Sequence, residues 1–208
     1  MASQPYNLKI RKAQLLERRA RVAAATAELH AEKGVLSTSY ADIALRAQVS
    51  LPTVHSYFPT QVELLTACTG HAGAAAPPLP VQALMATSDL HAAAEMLVAA
   101  VDRRHAYFEP WLSWRQETVT PFLVEMSAGH RDHLAALITQ LLKRHRKGTQ
   151  AAHAAAWESL LSFDLWQRLT RQHRLPRRQV RALLTNLLMT VPGPAPSTTP
   201  KPGPRRSS

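Results

Sequence analysis

The chain has 208 residues, enough for one domain or one compact domain with a small appendage. Its 46% apolar content excludes disorder of the whole chain, and its single cysteine, Cys68, excludes a disulfide framework or a thiolate zinc site. With only 7 glycines and no GxGxxG or Walker-type run, a phosphate-cradling loop is not expected.

The net charge of +11 is unevenly spread. Residues 1–66 carry 8 Lys/Arg against 5 Asp/Glu, residues 67–139 carry 4 against 7, and residues 140–208 carry 13 against 2. A basic chain suggests a polyanionic partner, although charge alone does not separate nucleic acid from a membrane surface or a merely solvated face. The chain opens on no signal-peptide pattern, and its apolar runs stop well short of the roughly 18 residues of a membrane span. The expectation is a cytoplasmic protein without a membrane partner.

In chain order, nearly every segment reads as helix, and no strand alternation or internal repeat is found. Lys9 to Lys33 is rich in Ala, Leu, Arg and Glu, with Val22, Thr26, Leu29 and Lys33 on one stripe and Gly34 as its stop. Short helices follow at Tyr40–Ala47, Leu51–Phe58 and Pro59–Thr69, with hydroxyl caps available at Thr38 or Ser39, at Ser50 and at Thr60. Residues 70–80 (GHAGAAAPPLP) have turn composition and are read as a linker. Ser88-Asp89 can cap a helix carrying Leu90, Ala94, Leu97, Val98 and Val101, ended or kinked at Pro110. Trp111–Ser127 is a further candidate limited by Pro121, and His130–Lys147 presents Leu134, Leu137, Ile138, Leu141 and Leu142 on one face. Its basic last turn suits the negative end of a helix dipole without invoking a nucleic-acid contact. Ala151–His173 reads as one long helix, and Pro176 starts another with Val180, Leu183, Leu184, Leu187, Leu188 and Val191. The tail 192–208, with six prolines and no aromatic residue, is expected to be disordered. The fold class is all-α.

The stretch Tyr40 to Phe58 carries the functional signal. Two helices crossing steeply over a short turn need small residues at the crossing, which Ala44 and Ala47 supply, while Ile43, Val49, Val54 and Phe58 fill the shared core. Ser50 caps the second helix, and Pro52 is tolerated where first-turn N–H groups lack helical partners. The outward residues are then Leu51, Pro52, Thr53, His55, Ser56 and Tyr57, with no acid among them. Such a face suits a helix entering the major groove, and equally an ordinary αα-hairpin with a polar surface.

From Arg19 to Leu65 the chain resembles the TetR/AcrR family of bacterial transcription regulators. The resemblance rests on Ala24–Gly34 (AATAELHAEKG), Thr38-Ser39, Asp42-Ile43-Ala44, Ala47-Gln-Val-Ser50, Thr53-Val54-His55 and Tyr57–Leu65 (YFPTQVELL). It implies an N-terminal three-helix DNA-binding domain with a helix-turn-helix at Ser39–Ala47 and Ser50–Tyr57. Downstream it implies a larger helical domain that binds an effector and dimerises through the last two long helices. The implied organisation is a basic arm (1–17), the DNA-binding domain (18–69), a linker (70–80), the effector and dimerisation domain (81–191) and the tail (192–208). By position, Leu51, Pro52, Thr53 and His55 are implied to contact bases or groove, and Ser39, Tyr40 and Tyr57 to lie near phosphates, with Ser50 and Ser56 on the same surface. Three positions depart from the family pattern: Gln48 replaces a usual Gly, His55 a usual Tyr, and Gln61 a phosphate-contacting Lys. Lys9, Arg11, Lys12, Arg18 and Arg19 either compensate by reaching phosphates or the minor groove, or belong to a solvated terminus.

Large apolar side chains gather in the central helices, and the resemblance implies a ligand cavity lined by Met96, Phe108, Trp111, Trp114, Phe122 and Met126; the alternative is ordinary core. His130, Asp132 and His133, or Asp102 and His105, share single helical turns but lack a third ligand, so no metal or other cofactor is expected. With no GxSxG elbow and no partner marked for Cys68, no enzyme is expected either. Trp157, Leu161, Leu165, Leu169, Leu184, Leu187 and Leu188 form either a dimer seam or monomer core. The reading is a ligand-responsive repressor, acting as a homodimer on a near-palindromic double-stranded DNA operator and released by a small-molecule effector. Its rivals are a DNA-coating protein without sequence choice and a helical small-molecule-binding protein with a degenerate reading head.

Overall fold

The computed structural model describes the backbone of residues 4–113, 120–145 and 151–191, and the side chains of residues 9–113, 131–145 and 151–191. The described residues are all-α, as expected, with no strand among them. The chain divides into two compact units, residues 1–78 with 103–128 and residues 79–102 with 129–208. This division differs from a single cut at 70–80, because the helix containing residues 90–112 passes from the second unit into the first.

In the first unit α1 spans Gln4–Lys33, α2 Tyr40–Ala47, α3 Leu51–Tyr57 and α4 Gln61–Ala75. The expected arm 1–17 is thus not separate from the first helix; α1 is continuous from Gln4, with Pro5 tolerated in its first turn. Gly34 stops α1 at φ 83°, a backbone region that glycine adopts without a Cβ clash. The core joins Val22, Ala25 and Leu29 of α1 with Ile43, Ala44 and Ala47 of α2, Val54 of α3, Phe58 and Leu64. Tyr40, Val49 and Tyr57 pack on its edge. A smaller cluster of Ala27, Leu65 and Cys68 is covered by Val35 and Trp111. Residues 70–75 are helical and not linker: the last two turns of α4 carry Gly70 and Gly73, where open space faces both glycines.

The second unit holds α5 (Val81–Ala86), a helix not anticipated from the sequence, whose Leu84 is fully buried. Asp89 accepts from the N–H groups of His91 and Ala92 and so opens α6 (Leu90–Leu112). Pro110 sits in its last turn and does not shorten it. The helix α7 spans Thr120–His145, so the break expected between Ser127 and His130 is absent and Pro121 lies in a first turn instead. Its Leu137, Ile138, Leu141 and Leu142 are buried.

The expected helix Ala151–His173 is three pieces: α8 (Ala151–Leu160), α9 (Phe163–Gln167) and a π turn over Arg168–Gln172. The break has a local cause, since Ser162 leaves helical geometry and caps α9 by accepting from the Leu165 N–H at 3.4 Å. It also has a distant one: Trp166 is buried with its indole N–H donated to Asp102 at 2.8 Å. The last helix, α10, spans Arg177–Thr190. Most of the expected dimer seam is interior, because Trp157, Leu161, Leu184 and Leu188 are buried within one chain and Trp157 donates to the Leu188 carbonyl at 3.0 Å. Leu183 and Leu187 are the large apolar residues that α10 leaves exposed.

Candidate nucleic-acid interface

Three hydroxyl residues set the geometry of the reading head. Ser39 and Asp42 close the first turn of α2 reciprocally: the Asp42 N–H donates to Ser39 Oγ at 3.1 Å, and the Ser39 N–H donates to Asp42 Oδ2 at 2.9 Å. Lys33, at the end of α1, adds its ammonium to the same oxygen at 2.8 Å. These bonds, that of Lys33 first, hold the Asp42 carboxyl well below the usual carboxylate range. Thr60 and Glu63 repeat the reciprocal cap at the start of α4. Ser50 opens α3, accepting from the Thr53 N–H at 3.3 Å, with its hydroxyl 2.7 Å from that of Thr53. Of the candidate contact residues, Ser50 and Thr53 therefore also serve the helix start.

Between α2 and α3 the chain reverses at Gln48, which takes φ 55°, ψ 48°. The Val49 N–H reaches the Ala44 carbonyl at 3.0 Å and the Gln48 N–H the Leu45 carbonyl at 3.2 Å, the paired bonds of a Schellman stop. Gln48 is thus in the left-handed region, and the turn is not helix-like at this position. A side chain there costs on the order of 1 kcal/mol relative to glycine.

Leu51, Pro52, His55 and Ser56 are exposed on α3. Thr53 is half-buried and Tyr57 packs on the core edge, so these two are less outward than their spacing implied. Tyr40 does not stand alone. Its ring lies flat on that of His55, centroids 4.5 Å apart and planes within 4°. The His55 imidazole, exposed in mid-α3, is thereby backed by a half-buried ring from α2. Burial, with the Glu63 carboxylate second, pushes the Tyr40 phenol up, so it stays neutral and a hydrogen-bond donor. No spacing in the sequence signals this pair, whose members meet only through the crossing of α2 and α3.

The head is also tied to α6 within the first unit. Arg104 donates to the Pro77 carbonyl at 2.7 Å, Tyr107 to Ala72 at 2.9 Å and Trp111 to Ala27 at 2.8 Å. Their spacing of three and four residues puts these donors on one face of α6. Of the candidate ligand residues, Phe108 and Trp111 lie here with ring centroids 6.2 Å apart, and the Trp111 N–H is already engaged. Met96 is partly buried in the second unit. Trp114 and the side chains of Phe122 and Met126 lie outside the described residues. Asp102, which shares a helical turn with His105, is buried and held by Trp166 at 2.8 Å and by Arg177 at 2.8 and 3.0 Å.

Comparison with known proteins matches this geometry. Residues 22–68 match the family model for bacterial regulatory proteins of the tetR family. A TetR-like transcriptional regulator from Rhodococcus sp. RHA1 superposes with a TM-score of 0.58 at 21% identity, covering 83% of this chain and 93% of its own. A second transcriptional regulator from Rhodococcus sp. Rha1 gives 0.58 at 18% identity, over 82% and 94% of the two chains. The multidrug binding protein EbrR, complexed with imidazole, gives 0.55 at 20% identity, over 87% and 97%. No curated protein sequence matches the chain. The chain has the fold of TetR-like transcriptional regulators, and its residues 22–68 are a tetR-family helix-turn-helix DNA-binding domain.

Proposed function

We propose that the protein is a sequence-specific repressor that binds a near-palindromic operator as a homodimer and is released by a small-molecule effector. The observation that carries the reading is α3 itself, a capped helix whose exposed Leu51, Pro52, His55 and Ser56 include no acid and whose His55 is held by Tyr40. A held imidazole presents an N–H or a ring nitrogen to a base edge with little rotamer entropy left to lose. The caps at Ser39 and Ser50 supply backbone and hydroxyl groups of the kind that fix register on phosphates.

Dimerisation is assigned to α8 and α10. Ala151, Ala152, Ala155 and Ser159 give α8 an exposed face of small residues, and Leu183 and Leu187 lie one turn apart on α10. A two-fold pairing of such faces would set the distance between two reading heads. Effector response is supported by the three bonds from α6 to the backbone of α1, α4 and the segment after α4. A ligand that favours one position of this stretch of α6 changes operator affinity only through differential binding to the two states. That a structural neighbour is a multidrug binding protein supports a small-molecule effector.

Selection of bound sequences from a random duplex pool, near physiological salt, tests the reading. The expected result is a two-fold-symmetric site, with His55→Ala and Tyr40→Ala losing preference at the same position of each half-site and Tyr40→Phe retaining it. Salt-sensitive binding with no enriched sequence would replace this reading with DNA coating.

A further inference from the structure

The first five turns of α1 run past the module they belong to. Every residue from Lys9 to Arg21 is exposed, whereas Val22 is fully buried. Lys9 to Arg19 covers about 15 Å of helix at 1.5 Å per residue. Residues 1–21 carry six cations against Glu17 alone.

The cations are not scattered around this helix. Arg11, Arg18, Val22 and Leu29 follow one another at seven, four and seven residues, and Lys12, Arg19 and Thr26 at sevens. The azimuth that is apolar and covered from Val22 onward is therefore the azimuth that carries Arg11, Lys12, Arg18 and Arg19 before it. Glu17, the one acid here, falls on the opposite side of the helix from the stripe, one turn before Arg21. A solvated helix face usually interleaves signs, since like charges one or two turns apart repel. This stripe is left uncompensated. At its inner end the Arg19 guanidinium lies 4.9 Å over the ring of Phe58, the residue that ends α3. The cationic face and the recognition helix are thus joined by direct contact.

We infer that the Arg11–Lys12–Arg18–Arg19 face of α1 is a second DNA-binding surface, which takes the phosphate backbone of duplex flanking the site read by α3. The inference rests on α3 being the reading head. Duplex is favoured over an anionic membrane by continuity, because a duplex seated on α3 lies beside the end of the same stripe. The contacts are to phosphate, so they raise affinity without reading sequence, and they supply charge that Gln61 does not.

The test compares the full-length chain with a Lys9→Gln, Arg11→Gln, Lys12→Gln, Arg18→Gln variant. All four positions are exposed and glutamine keeps helix propensity, so melting should be unchanged; Arg19 is retained for its contact with Phe58. On the selected site embedded in long flanks, the salt dependence of the variant should be shallower by about 3 in log–log slope, at about 0.9 for each phosphate contact of Arg11, Lys12 and Arg18 lost. Its affinity near physiological salt should fall at least about 10-fold with base preference retained, and trimming the flanks should bring the wild type to the variant's values. Equal slopes on the long duplex would overturn the inference. So would a variant that loses binding to phosphatidylserine vesicles while keeping wild-type duplex affinity. If neither protein selects a sequence, the reading of α3 fails, and the difference in slope on any long duplex still decides the role of α1.

Discussion

The reading head and the second unit are ordered by bonds of different reach. In α2, α3 and α4 the first turn is closed by Ser39, Ser50 or Thr60, each bonded to a residue three positions on. In the second unit Asp89 and Ser162 cap α6 and α9 locally, but α5 and α10 start at Pro80 and Pro176 with no side-chain cap. Its defining polar bonds instead cross 31 residues from Trp157 to Leu188, 64 from Trp166 to Asp102 and 75 from Arg177 to Asp102. A head ordered by local caps keeps its shape whatever packs beside it, which suits a surface that must match a fixed groove. A unit whose last helices hang on one buried carboxylate has fewer, more consequential points of control.

Arg177→Met breaks that contrast most severely. It removes the bidentate partner of a carboxylate that is 1% exposed, leaving Trp166 and the longer 3.7 Å contact of Arg181. A loss of about 3 kcal/mol is expected. Hydrogen exchange should show the loss in α9 and α10 while amides of α2 and α3 keep their protection, and equal loss in both units would contradict the contrast.

His30 should set a pH dependence of the first unit. It is 5% exposed, with Nδ1 3.6 Å from Cys68 Sγ, and burial lowers its pKa to about 4 while pushing the Cys68 thiol up to about 12. Below pH 6.5 the unfolded chain takes a proton on His30 that the folded chain refuses, so stability is full above 6.5 and falls as pH drops toward 4. The loss should reach about 2 to 3 kcal/mol. His30→Gln should flatten denaturant midpoints measured across this window; an unchanged slope would place the titration elsewhere.

Gln48→Gly sharpens the same picture with the smallest change. Relief of the left-handed side chain should raise the stability of the head by about 0.5 to 1 kcal/mol, read as a higher melting temperature. A lower one would mean that the Gln48 side chain is itself structural.

These regions were also unequally legible in the sequence. Ser39, Ser50 and Thr60 sit beside the helices they cap, and Ile43, Ala44, Ala47, Val54 and Phe58 form the expected core, because such patterns act within a turn or two. The Tyr40–His55 stack was not visible, since fifteen residues of chain must fold before the rings meet. The spacing of Arg104, Tyr107 and Trp111 marks one face of α6 but not the carbonyls it reaches. Nor did Ala151–His173 announce its break: its apolar positions fit one helix, and the demand that bends it is the distant Asp102. Trp157, Leu161, Leu184 and Leu188 were likewise open to two readings, because periodicity reports a buried face without saying whether the same chain or a second copy buries it.

Sequence reading by α3 would show in the ratio of affinities for the selected duplex and a scrambled one of equal length, measured near physiological salt with the full chain. The expected ratio is about 10³ or more, lost largely in His55→Ala. A ratio near one, with steep salt dependence for both duplexes, would contradict it and leave a protein that holds DNA through charge alone.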